Sequence, residues 1–320
     1  MSTSSPPISP RPVMTVQGPV PYEQLGITDA HNHVWIAPTP GTNEDCPVLN
    51  QYDLILKELV EYRALGGESL LDCQPGGCGR DSSKLLELSK AALVNIIACT
   101  GFHRKKYYPI DYWLWSASAQ KVCDNLCSDL EHGLAEIINT PSPVKAGFVK
   151  IALEATWSDC PHAALEGAAS AAGITGVLVE IHTEKGALAE KACIYFADHG
   201  VFPHQLVLCH MDKRPDISMH KALASLGVLL EYDTFYRPKY HPTDRLWPLI
   251  EQMVEAGLSD RVALATDMAD TALYHNIGGG PGLASLPGEI QEKLKEKGFP
   301  EIDRMQMMGG NIARRLAGII

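Results

Sequence analysis

The chain has 320 residues, 45% of them apolar and 20% charged, a balance that excludes disorder along the whole length and suits one large domain or two small ones. Its net charge of −11, from 27 basic and 38 acidic residues, argues against a broad surface for nucleic acid or anionic membrane. No apolar run approaches the ~18 residues of a membrane span, and nine cysteines without an export signal read as reduced thiols of a cytoplasmic protein.

In chain order, residues 1–20 begin Ser/Pro-rich and read as a disordered arm, leaving 21–320 as a single domain. Eight short runs rich in Val, Ile and Leu follow, at 26–33, 69–73, 95–101, 146–152, 176–182, 205–210, 227–233 and 261–267. Their continuous apolar character is what strands buried on both faces require. Helical periodicity fills the gaps at 52–65, 82–94, 122–138, 163–172, 185–198, 217–226, 243–256 and 287–297. Gly66, Gly173, Gly200 and Gly257 stand where helices should close, and 303–317 reads as a last helix packed back on the body. Strands alternating with helices in this number predict an α/β fold of the (β/α)8 TIM-barrel type.

A barrel of this kind carries its chemistry at the C-terminal ends of its strands. The first run ends Asp29-Ala30-His31-Asn32-His33, which puts two histidines on one face. The fourth carries Lys150, the fifth ends at His182, the sixth at His210 and the eighth at Asp267. A strand-end histidine or aspartate alone is usually structural. A lysine in an apolar strand is harder to dismiss, because burying an ammonium costs several kcal/mol unless it is paired or neutralised. Together the six suggest a two-metal hydrolytic site, since imidazoles and carboxylates suit zinc, manganese or cobalt. Neutral Lys150 can take up carbon dioxide, and the resulting carbamate has two oxygens able to bridge two ions.

These motifs, with Asp72, Gly79-Arg80-Asp81 and Thr100-Gly101 after the second and third runs, make the sequence resemble the phosphotriesterase family of the amidohydrolase superfamily, sugar lactonases included. The similarity runs from about Gly26 to Leu316. The resemblance implies that His31, His33 and Asp267 hold the more buried of two divalent ions, His182 and His210 the second, and carboxylated Lys150 bridges them. It makes Asp267 the catalytic acceptor of the hydroxide proton. One departure stands out: family members that cleave phosphotriesters carry a histidine after strand seven, where this chain has Thr234. That shifts the expected reaction towards opening a lactone of an anionic or polyhydroxylated substrate. Hydrolysis of an N-acyl amide or a phosphoester is the enzymatic alternative, and an inactive metal-binding scaffold is the alternative of another class.

Two basic loops should face the barrel mouth, 103–108 and 236–241. They offer His103, Tyr107, Arg237 and Lys239 for a small-molecule substrate, with Arg80 as a further candidate. The Gly-rich 277–282 stretch lacks the Lys-Ser/Thr of a P-loop and reads as a lid over the metals. Cys209, next to His210, should point away from the barrel interior. Trp113 and Trp115 are open between pocket lining and a subunit contact, and barrels of this size often form homodimers.

Overall fold

A short antiparallel hairpin, β1 (Val13–Thr15) and β2 (Gly18–Val20), precedes eight parallel strands. These are β3 (Ile27–Asn32), β4 (Gly67–Asp72), β5 (Asn95–Gly101), β6 (Phe148–Ala152), β7 (Val179–His182), β8 (Leu206–Cys209), β9 (Leu229–Tyr232) and β10 (Val262–Leu264). The computed structural model of the chain describes residues 10–43, 45–137 and 139–319. The strands lie side by side in chain order, and helices α1 (Tyr52–Ala64), α2 (Ser82–Ala92), α3 (Ala119–Glu131), α4 (His162–Thr175), α5 (Ala189–Asp198), α6 (Ile217–Leu226) and α7 (Leu246–Glu255) cross between them. This is the expected (β/α)8 barrel.

The ladder leaves one seam, between β3 and β10. Side chains and a backbone bond close it. Thr266 donates through Oγ1 to Asp29 Oδ2 at 2.5 Å and through its backbone N–H to Oδ1 at 3.1 Å. Asp267 N donates to His31 O at 3.0 Å.

Strand alternation divides the core. Leu70, Ile96, Val149, Ile181, Leu230 and Leu264 pack outward under the helices, while Leu71, Ile97, Phe148, Leu178, Val207 and Leu229 fill the barrel floor. One step further up the same inward faces stand Lys150, Glu180 and Glu231, all fully buried.

Several boundaries differ from the sequence expectation. Residues 10–20 are not an arm: Val13 and Val16 are buried and the hairpin packs on β5. Residues 1–9 lie outside the described residues. Helix α3 starts at the Ser118 cap and ends at Glu131, well before 138, which also lies outside them. Gly173 does not close α4, which runs on to left-handed Gly176. The expected 287–297 helix is present but opens with a wider π-helical stretch over Leu286–Ile290 before continuing as α8 (Gln291–Glu296). The last helix breaks into α9 (Glu301–Met305) and α10 (Asn311–Leu316). At the break, a Cβ on Gly309 would sit 2.4 Å from Gly26 O, so this backbone-to-backbone approach beneath β3 requires glycine. No helix among the described residues is long and apolar enough to cross a membrane.

Candidate functional site

The strand ends bring His31, His33, His182, His210 and Asp267 around one cavity of about 470 Å³ at the barrel mouth, with Lys150 buried beneath. The four imidazoles share one design: each outer ring nitrogen meets an acceptor, which fixes the tautomer. His31 Nδ1 donates to Glu231 Oε1 at 2.9 Å, and His33 Nδ1 to Gln74 Oε1 at 2.8 Å. His182 Nε2 donates to Glu184 Oε1 at 3.0 Å, and His210 Nδ1 donates to Asp233 Oδ2. The second nitrogen of each ring faces inward and, in the neutral ring, turns a lone pair to the cavity. Burial lowers His33 to about 3 and His182 to about 4, so both are neutral at pH 7.

These lone pairs converge in two groups. His31 Nε2 and His33 Nε2 lie 3.8 and 3.7 Å from Asp267 Oδ1. His182 Nδ1 and His210 Nε2 face each other at 2.9 Å. Two lone pairs aimed at one another repel unless a cation, proton or metal, lies between them. The donor set thus fits divalent ions that accept imidazole and carboxylate. His210 (φ 63°) and Asp267 (φ 48°) both sit in the left-handed region, so two of the candidate ligands are held by strained backbone.

Below the mouth, Lys150 Nζ donates to Glu180 Oε1 at 2.6 Å and lies 3.3 Å from His31 Nδ1 and 3.5 Å from its Nε2. Burial opposes its charge, but the fields of Cys209 and Glu180 outweigh it and keep the amine an ammonium. Cys209 points into the barrel, its Sγ 3.3 Å from Lys150 Nζ, contrary to expectation. Strand alternation ends at Cys209, and left-handed His210 turns the next side chain back towards the mouth.

His103, Tyr107, Arg237 and Lys239 line the cavity as expected, joined by Lys213 and Tyr240, which the sequence reading missed. Arg237 Nη2 donates to Asp267 O at 2.5 Å and lies 3.4 Å from its Oδ2. Lys213 and Lys239 stand 5.8 and 5.0 Å from the Tyr240 ring centre, giving a cationic wall. Arg80 does not line the cavity. It is buried behind β5, donating to Glu136 Oε1 at 2.9 Å and to Cys99 O at 2.7 Å, so its charge is spent on structure. Thr234 donates to Asp212 Oδ2 at 2.5 Å and is held away from the imidazoles. The 277–282 stretch is not a lid: none of its residues lines the cavity, and it packs on α1 instead. Trp115 packs edge-on against Tyr108 and Phe102, away from the cavity.

A parallel barrel with inward imidazoles, a lysine and an aspartate at the strand ends is of the amidohydrolase type. The sequence pattern of the phosphotriesterase family matches residues 11–316, and the chain belongs to that family. A relative from Mycoplasmopsis synoviae, named a phospho-furanose lactonase, is 30% identical over 95% of this chain and 91% of its own length. The solved structure of an amidohydrolase from Mycoplasma synoviae matches with a TM-score of 0.89 at 28% identity, over 97% of this chain and 93% of the other. A lactonase from Listeria monocytogenes has the same fold, with a TM-score of 0.88 at 23% identity over 95% and 98% of the two chains.

Proposed function

We propose that this protein is a metal-dependent hydrolase that opens a phosphorylated sugar lactone. The observation that carries this reading is the convergence of four imidazole lone pairs beside Asp267, in a cavity bordered by a cationic wall. His31, His33 and Asp267 would hold one divalent ion and His182 and His210 the other, with zinc favoured by the imidazole-rich set. Such a pair, when bound, polarises a carbonyl and lowers the pKa of a water. Lys150, lying beside His31, would join as a carbamate, for which two protons must leave the ammonium as carbon dioxide adds.

The chain's own groups divide the remaining work. Asp267 accepts the proton of the attacking water and passes it to the ring oxygen that leaves as an alcohol. Arg237, Lys213 and Lys239, with the Tyr240 hydroxyl, engage the anionic group of the substrate. The name of the Mycoplasmopsis synoviae relative supports a phosphate as that group.

The test compares zinc-loaded wild type on a phosphorylated γ-lactone and on the same lactone without phosphate, with metal content measured alongside. Wild type should hold about two ions per chain and prefer the phosphorylated lactone by roughly 100-fold, the scale of a lost charged contact. Asp267→Asn should keep the fold and lose about 10²–10⁴-fold in kcat. Lys150→Ala should bind less metal. Metal-replete protein that opens no lactone, or that prefers an aryl phosphotriester or an N-acyl amide, would overturn the reading.

A further inference from the structure

His103 has the opposite polarity to the imidazoles beside it. Its Nδ1 accepts the backbone N–H of Arg104 at 2.7 Å. A backbone N–H can only donate, so Nδ1 carries the lone pair and the ring proton sits on Nε2. Among the described residues, that Nε2–H has no hydrogen-bond partner, although the ring borders the cavity. The ring centre lies 4.9 Å from that of His182 and stands edge-on to Tyr107 at 4.6 Å. Its backbone is fixed as well, since His103 N donates to the Tyr108 hydroxyl at 2.9 Å. Arg104 is clamped by Glu154 at 3.1 Å and by Glu184 at 2.7 Å. The loop therefore presents a preorganised neutral donor, not a fifth ligand.

We infer that the Nε2–H of His103 recognises an uncharged oxygen of the substrate, a ring hydroxyl of the lactone, and so determines specificity. This rests on the hydrolase reading above. The cationic groups follow β8 and β9, whereas His103 follows β5, and β9 lies four places from β5 in the ring of eight strands. A substrate anchored by its anionic group on the cationic wall extends its ring across the mouth towards His103. A neutral donor suits a hydroxyl there, because the anionic group already has its cations.

The test uses two phosphorylated γ-lactones that differ only in the hydroxyl next to the carbonyl. Wild type should lose about 10-fold in kcat/KM on the deoxy lactone, the value of one neutral hydrogen bond. His103→Phe, which keeps the edge contact with Tyr107 but has no N–H, should treat the two lactones alike. His103→Gln, which keeps a donor, should restore part of the preference. Wild type that does not distinguish the lactones, or His103→Phe that keeps the wild-type ratio, would overturn the inference. The imidazole ¹⁵N shifts of His103 need no turnover and should report the neutral Nε2–H tautomer, whereas an Nδ1–H tautomer would overturn the donor role. If wild type opens neither lactone, the lactonase reading fails and the hydroxyl assignment with it, while the nitrogen shifts still decide the donor state.

Discussion

Glu231, Gln74, Glu184 and Asp233 each stand behind one inward lone pair, and without them the imidazoles could turn either nitrogen to the cavity. Asp72 is a buried acid of a different kind. Its Oδ1 accepts the backbone N–H of Val34 at 2.7 Å, and its Oδ2 has no partner among the described residues. Burial pushes this carboxyl up to about 7, although Val34 pulls the other way. A folded pKa above the unfolded value means that the native state holds the proton more tightly. The stabilising contribution is then full below about pH 4 and is lost as pH rises through about 7, at a cost of up to about 4 kcal/mol. Asp72→Asn should therefore be more stable than wild type in urea at pH 8 and lose that advantage by about pH 4. An unfolding difference that does not change with pH would show that Asp72 does not titrate in this range. At this scale the sequence reveals the candidate ligands, because each closes a strand, but hides most of their acceptors. Gln74, Glu184 and Asp233 look like ordinary polar residues of loops and strand ends. Only Glu180 and Glu231, charges set within apolar strands as Lys150 is, carry a readable signal.

The elements are legible where one periodicity governs and illegible where tertiary contact overrides it. The eight barrel strands stand out because both faces are buried. The β1–β2 hairpin does not, since Pro12, Gly18, Pro19 and Pro21 mark it as loop while Val13 and Val16 bury against the barrel. The 277–282 stretch misleads for a similar reason: its glycines suggest mobility, but a buried carboxylate on α1 holds the surrounding segment. Glu58 accepts from Asn276 N at 2.5 Å, from Asn276 Nδ2 at 3.2 Å and from Leu283 N at 3.0 Å. Removing it leaves buried donors unpaired, so Glu58→Ala should destabilise the protein by roughly 2–4 kcal/mol. Deuterium exchange should rise over residues 273–285 while metal content stays as in wild type. Unchanged exchange there would assign the anchoring to Leu273, Leu283 and Leu286, which are also buried.

Over the whole molecule the candidate ligands are spread unevenly. His31 lies in β3, His33 follows it and Asp267 follows β10, so an ion held by these three would lie across the seam that no ladder closes. His182 ends β7 and His210 follows β8, and these two strands are already paired through Ile181 and Leu208. Ion binding at the first group would add a crosslink where, among the described residues, Asp29 and Asn32 hydrogen-bond to Thr266 and one backbone bond joins His31 to Asp267. Binding to the native state alone at 100 times the dissociation constant stabilises by about 2.7 kcal/mol per site. That stabilisation should not be uniform, because local opening starts where backbone pairing is thinnest. Stripping the metal with a chelator should lower the melting temperature and speed amide exchange in β3 and β10 far more than in β5 and β6, with zinc reversing both effects. Asp267→Asn, which weakens the first group alone, should lose much of the protection at the seam and keep that of β7 and β8. Equal changes in all eight strands would mean that the metal stabilises the barrel globally and that the seam is closed without it.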